Sequence, residues 1–482
     1  MRKSILFLML CFLSGLSSYA QKKPNILFII TDQQSYNMMS CMGNKWLNTP
    51  NMDKIAAMGY RFEKAYCSNP VCTPSRFSLM TGHYASDIEA KSNTPVFNEA
   101  KWNQIVPDGA IGTLLKKSGY QTLYSGKVHL YGSKEATEFG FTINNTDPYD
   151  GPAIYAEQIL PQLAMQKDKP FALFLSFLNP HDICYKAGAD KRYPDKLPAA
   201  NVRETQRLLE LQKNMDPESY RKQVPPRVAN TAPINGETFD MVSMDIGARQ
   251  WDEKQWDLNN WMYLRLTESV DAQIGRVITA LEKSGMLDNT IIVLTADHGD
   301  MQGAHGLTLK NVMFEECQRI PFIFAGNGIK SNYADQENVV VNGVDFLPTI
   351  CDLTGVKYDS NLPGVSLKPV LTGKTKKLKR EYVFTESYHA YQVNDGHYKY
   401  TIYELKGNPE TLTDLKANPG ETINYANDPS YAEVKNKMKK VLMDKLSQRG
   451  LLPLTQNKSI EELRAIEKEY RDRNGKKKDN DE

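Results

Sequence analysis

Asn25-Ile26-Leu27-Phe28-Ile29-Ile30-Thr31 is apolar without alternation and stops at Asp32-Gln33-Gln34. A strand with water on one face alternates, so a run this continuous predicts a central strand of a parallel sheet with both faces covered. The stretch 290–296 has the same texture and ends in Asp297-His298-Gly299-Asp300, while 171–178 runs straight into Asn179-Pro180-His181, where the proline stops the strand. Open α/β sheets bind ligands beyond the carboxyl ends of their strands. Asp32, Gln33, His181, Asp297 and His298 are all predicted to lie at that end. A carboxylate beside an amide oxygen suits a hard divalent cation.

Between the strands the pattern turns helical. Leu266, Val270, Ile274, Val277 and Leu281 recur every three or four residues and predict a packed amphipathic helix over 261–283, ending near Gly285. Shorter helices are predicted at 50–58, behind Thr49, and at 111–118, before Gly119. A strand over 121–125 then feeds Gly126-Lys127-Val128-His129-Leu130. The fold class is therefore α/β, a large, mixed, mostly parallel sheet sandwiched by helices. Beyond about Thr372 the texture changes. A basic linker, 374–380, precedes strands predicted at 382–386 and 399–405, and Val434, Met438, Val441 and Leu446 line a helix. This predicts a smaller C-terminal α+β subdomain on an antiparallel sheet.

The segment with the most specific chemistry is Cys72-Thr73-Pro74-Ser75-Arg76-Phe77-Ser78-Leu79-Met80-Thr81-Gly82. Thr73 can cap a helix that begins at Pro74 and ends at Gly82, which sets Cys72 just outside the N-terminus. Such a place favours an anion, and Arg76, one turn in, adds a permanent charge with a planar donor fork.

This segment resembles the signature of the type I sulfatases, Cys-x-Pro-Ser-Arg-x-x-x-Leu-Thr-Gly, with Met80 in place of the usual Leu. The resemblance extends from about Lys23 to about Asn427. Gly126–Leu130 is similar to the family's Gly-Lys-Trp-His-Leu with Val128 for Trp; Asn179-Pro180-His181 is similar to its Pro-His; Asp297-His298-Gly299 is similar to its metal segment, continued by Gly303, His305, Gly306, Leu307 and Lys310. Many members carry Asp-Asp where this chain has Asp32-Gln33, a departure that removes one negative charge. The resemblance implies the alkaline-phosphatase-like fold and a sulfuric ester hydrolase whose Cys72 is converted to formylglycine by a sulfatase-maturing enzyme. It further implies one divalent metal held by Asp32, Gln33, Asp297, His298 and residue 72. Calcium is the family's usual ion, with magnesium and manganese left open by the nitrogen of His298 and the neutral Gln33. In the implied mechanism hydrated formylglycine attacks sulfur through one hydroxyl, and deprotonation of the other, by His129, expels sulfate. Arg76, Lys127 and Lys310 bind the sulfate oxygens, and His181, with Lys310, protonates the leaving alkoxide. A choline-sulfatase-like or phosphonate monoester/phosphodiester hydrolase, and a non-catalytic glycan-binding protein with unmodified Cys72, are the competing readings.

Residues 1–20 carry Arg2 and Lys3, an apolar run too short to span a bilayer and Ser18-Tyr19-Ala20, the pattern of a secretory signal. An exported protein, periplasmic or secreted, is expected, with no stable membrane span. Removal of that segment leaves 57 basic against 57 acidic residues, so no global field draws in a polyanion, and a nucleic-acid partner is not expected. The expected partner is a sulfated carbohydrate of glycosaminoglycan type. The cysteines match no disulfide framework or zinc site. The expected organisation is a signal peptide over 1–20, a catalytic domain over 21–372, the antiparallel-sheet subdomain over 373–455, and a terminal helix with a charged tail over 456–482. Trp251 and Trp256 fall in, and Trp261 borders, a polar region, 182 to about 260, read as loops over the site, where a sugar can stack on an indole but helix packing is the commoner fate.

Overall fold

In a computed structural model the described residues are 23–93, 97–131, 136–166, 169–184, 203–231, 250–454 and 462. The expected signal segment, the charged tail and nearly all of the terminal helix lie outside them. Eight strands form the main sheet: β1 (Asn25–Asp32), β2 (Gly59–Tyr66), β3 (Gln121–Gly126), β4 (Thr142–Asn145), β5 (Phe171–Pro180), β6 (Thr290–Ala296), β7 (Phe322–Gly326) and β8 (Tyr333–Val341). Their order is β4-β3-β5-β1-β6-β7-β2-β8. β7 alone runs against its neighbours, and β1 sits between β5 and β6, paired in parallel with both. The continuous apolar run at 25–31 is thus central, as its lack of alternation requires.

Both faces of β1 are covered. Ile26, Phe28 and Ile30 point into one core, with Phe77 and Leu79 of helix α1 (Cys72–Thr81) and Phe346 of helix α2 (Asn342–Thr354). Leu27 and Ile29 point into the other, with Val270, Ile274 and Leu281 of helix α3 (Glu253–Lys283). Helix α3 begins eight residues before the predicted start. Its first turns are polar, so periodicity does not reveal them, but Asp252 and Gln255 form a capping box that fixes the start. Trp251, Trp256 and Trp261 are all buried, and none is free to stack on a sugar.

Past the main sheet, β9 (Val383–Ser387), β10 (Ala390–Asn394), β11 (Tyr398–Tyr403) and β12 (Glu410–Asp414) form an antiparallel meander. Helix α4 (Ala432–Gln448) covers it through Met438, Leu442 and Leu446. β10 and β12 lack a long apolar run, and their partners reveal them. This core also takes in Tyr84 and Val341, so the small sheet is packed onto the large one. Among the described residues no helix is long and apolar enough to cross a membrane.

Candidate active site

Three strand ends deliver the acidic and imidazole groups. Asp32 is the last residue of β1, Asp297 and His298 follow β6, and His181 follows β5. Gly126 at the end of β3 has φ +95°, and a Cβ there would stand 2.0 Å from the Ser176 carbonyl oxygen. Only glycine permits that approach. The turn it makes directs Lys127 inward, its N–H donating to the Ser176 carbonyl at 2.9 Å.

Helix α1 supplies Cys72 and Arg76, though not with the predicted cap. The helix starts at Cys72, with Ser75 N–H bonded to the Val71 carbonyl, and Thr73 N–H donates to Asn93 Oδ1 at 3.0 Å. A carboxamide twenty residues away does the capping, so Thr73 is drawn into the first turn. Gly82 ends the helix in the left-handed conformation, φ +73°.

The buried Arg76 guanidinium organises the site. It donates to Asp297 Oδ2 and Asp32 Oδ2, each at 2.9 Å, to Ser176 Oγ at 2.7 Å and to the Lys127 carbonyl at 3.0 Å. Lys127 Nζ lies 2.6 Å from the same Asp32 Oδ2. Asp32 Oδ1 faces the other way, 3.9 Å from His298 Nε2 and 3.8 Å from Cys72 Sγ. Cys72 Sγ is 3.2 Å from His298 Nε2, and Lys310 Nζ donates to it at 3.0 Å. His129 and His181 stand close enough to the same sulfur for each to bear on its charge or be borne on by it. The structure thus brings Asp32, His298 and Lys310 directly to Cys72, with Arg76 and Lys127 behind Asp32.

Charge follows geometry. Burial pushes the Cys72 thiol up, but Lys310, Lys127 and His298 outweigh it and hold the thiol well below its usual range. Burial and Cys72 push Asp32 up, yet Lys127, His181 and Arg76 prevail and keep it ionised. His181 is pulled down to about 4, first by burial and then by Lys127.

One ligand atom each from Asp32, Cys72, Asp297 and His298 lies within 4.8 Å of the others, all buried. His298 Nδ1 sits 2.8 Å from the Gly299 carbonyl, which can only accept, so Nδ1 carries a proton and Nε2 is the nitrogen turned to the group; despite burial, Asp297 and the Cys72 thiolate make the ring hold a second proton more readily than a free imidazole, and a bound cation would take that proton's place on Nε2. Two carboxylates, an imidazole lone pair and residue 72 are a donor set that fits a divalent cation. Gln33, in the left-handed region at φ +67°, borders it: Oε1 accepts from Lys310 at 2.8 Å and from Cys184 Sγ at 2.9 Å, and Nε2 donates to Asp300 Oδ2 at 2.7 Å.

Asp300, which also accepts from the backbone N–H of Gln302 and Leu309, fixes both loops. The sequence displays it in the Asp297–Asp300 quartet but not its partners. Ser176, Asn93 and Cys184 carry no sequence signal of their own.

A sequence model of the sulfatase family, described as "Sulfatase", matches residues 24–356, and one described as "N-sulphoglucosamine sulphohydrolase, C-terminal" matches residues 303–448. The chain is 30% identical over 443 residues to a Delta 4,5-hexuronate-2-O-sulfatase of Bacteroides thetaiotaomicron, covering 88% of each protein. It superposes on the structure of a 2-O GAG sulfatase with a TM-score of 0.72 at 27% identity, covering 89% of this chain and 93% of that one. A third protein, solved with its substrate D-glucosamine-2-N,6-O-disulfate, gives a TM-score of 0.66 at 25% identity, with 89% and 98% covered.

Proposed function

The chain belongs to the sulfatase family, and from that premise we propose that this sulfuric ester hydrolase is exported and removes sulfate from a glycosaminoglycan-type saccharide, using formylglycine at position 72 and one divalent metal. The observation that carries the reading is the convergence of Lys310, His298 and Asp32 on Cys72 Sγ. Relatives that act on sulfated sugars support the substrate class. Asp32, Gln33, Asp297 and His298 are the residues to hold the metal with residue 72, Gln33 through the Oε1 that now accepts from Lys310 and Cys184, and Ca2+ is the favoured ion. That ion supplies Lewis acidity toward a sulfate oxygen, and a hydrated aldehyde at 72 supplies both a nucleophilic oxygen and a means of releasing sulfate without a second attack by water.

The chain's own residues do the rest. Lys127 and Lys310 present ammonium groups to the sulfate oxygens and meet the charge that develops as the ester bond breaks. Arg76 spends four N–H donors on Asp32, Asp297, Ser176 and the Lys127 carbonyl and so frames the site, with the second hydrogen of its Nη2 left for the sulfate contact. His129 removes a proton from residue 72. His181 is neutral in the free site at neutral pH; the negative charge of a bound ester raises its proton affinity, which is what a donor to the leaving sugar oxygen needs.

Peptide mass spectrometry across Cys72, on protein from a maturation-competent host, tests the nucleophile. Sulfate release from defined sulfated saccharides, with matched phosphate esters alongside and with chelation followed by Ca2+ restoration, tests the reaction. An unmodified thiol in a host that matures another sulfatase, or preferential turnover of the phosphate esters, refutes the proposal.

A further inference from the structure

An open groove of 360 Å³ lies against the loop that carries Gln33, bordered by the segment 37–46, by Pro225 and Pro226, and by helix α3. Its lining contains the side-chain amides of Asn37, Asn44, Asn260 and Gln302, one ammonium, Lys45, and one indole, Trp46; no lining residue is acidic. Trp46 is 38% exposed, whereas the protein's other four tryptophans are buried. Its backbone is held at both ends: Asn44 Oδ1 accepts its N–H at 3.0 Å, and Arg265 donates to its carbonyl at 2.6 Å. An exposed ring on a fixed backbone offers contact area at little entropic cost.

We propose that this groove is an accessory saccharide site that takes one sulfated sugar residue. The chemistry of the lining carries it. An indole offers an apolar surface to the C–H face of a pyranose. The amides of Asn44 and Gln302 hold the lining itself together, and the Nδ2 groups of Asn37 and Asn260 are the donors that can meet sugar hydroxyls. A lysine without a carboxylate among the lining residues favours an anionic substituent. The volume is at the small end of ligand pockets and suits a single ring rather than an oligosaccharide. The floor is tied to the catalytic loop: Tyr263 OH donates to the Gln33 carbonyl at 2.6 Å, and Gln302 Nε2 donates to Ser35 Oγ at 2.8 Å. The choice of a sulfated sugar rests on the substrate class proposed above; the groove itself does not.

The test is calorimetric titration of N-acetylglucosamine 6-sulfate into the Cys72→Ala protein, whose methyl side chain has no heteroatom from which to form formylglycine, with unsulfated N-acetylglucosamine as control. Two binding events per chain are expected. Trp46→Ala should weaken one of them tenfold or more, and Lys45→Glu should abolish that event's preference for the sulfated sugar, in proteins whose melting temperature matches the parent. Lys310→Ala should remove the other event. A single event, insensitive to Trp46→Ala and Lys45→Glu but lost with Lys310→Ala, overturns the accessory site and leaves the proposed substrate class intact. A single event lost with Trp46→Ala but untouched by Lys310→Ala does the reverse. Absence of both overturns both.

Discussion

Replacing Arg76 by alanine tests whether a single guanidinium holds the site together. Arg76 is 1% exposed and bonds Asp32, Asp297, Ser176 and the Lys127 carbonyl at 2.7 to 3.0 Å. Arg76→Ala leaves two buried carboxylates facing each other across a cavity. Removing one partner of a buried ion pair costs about 3–5 kcal/mol. The two pairs share one side chain and are not additive, and Lys127 still compensates Asp32 at 2.6 Å, so the sum is not doubled. The expected loss is therefore about 3–5 kcal/mol, most of it from Asp297. Arg76→Lys can reach only one carboxylate, and each charged hydrogen bond it forfeits is worth about 1.5–3 kcal/mol, so lysine should not rescue. The assay is urea unfolding in chelator, repeated with a divalent cation. Stability should fall in chelator and partly return with the cation, which finds Asp297 uncompensated beside Asp32 in the mutant. If Arg76→Ala in chelator stays within about 1 kcal/mol of the parent, the claim that this pair of buried charges depends on Arg76 is wrong.

Three further expectations follow from buried groups. His389 is held down to about 3 by burial and by Lys91; as pH falls below about 6.5 the unfolded chain takes up the proton first, so stability is lost, by about 2 kcal/mol at pH 5, and His389→Gln should flatten that limb of the pH–stability curve. Lys399, also buried, lies 2.9 Å from Glu421 and 3.2 Å from Glu315. Lys399→Met should cost about 3–5 kcal/mol in urea unfolding, with part recovered in the Lys399→Met, Glu421→Gln double variant. Gly126→Ala forces a Cβ against the Ser176 carbonyl at positive φ; sulfate release should fall at least tenfold through displacement of Lys127, and a wild-type rate would refute the role assigned to that turn.

What the sequence by itself determined is local or periodic. The unbroken apolar runs at 25–31, 171–178 and 290–296 have no stable place except between two helical layers, so they fixed a central parallel sheet and the end of it where chemistry sits. The segment 72–82, with the Lys127, His181 and Asp297 segments, named the site because its groups must be of those types whatever the surrounding loops do. Tertiary structure decided what depends on partners distant in the chain. Asn93 rather than Thr73 caps helix α1, which a local reading cannot see because the donor and acceptor meet only after folding. Asp300 turns the Gln33 amide toward Lys310, and Ser176 completes the Arg76 frame, through contacts spanning 267 and 100 residues. The indoles of 256 and 261 are buried by helix α3, whose polar first turns reach back past them, and that of 251 packs on Trp256 just ahead of the helix; the groove beside Trp46 exists only because 37–46, 225–226 and that helix meet. Residue type constrains the chemistry that is available; only packing decides which neighbour each group is given, and with it charge, orientation and access.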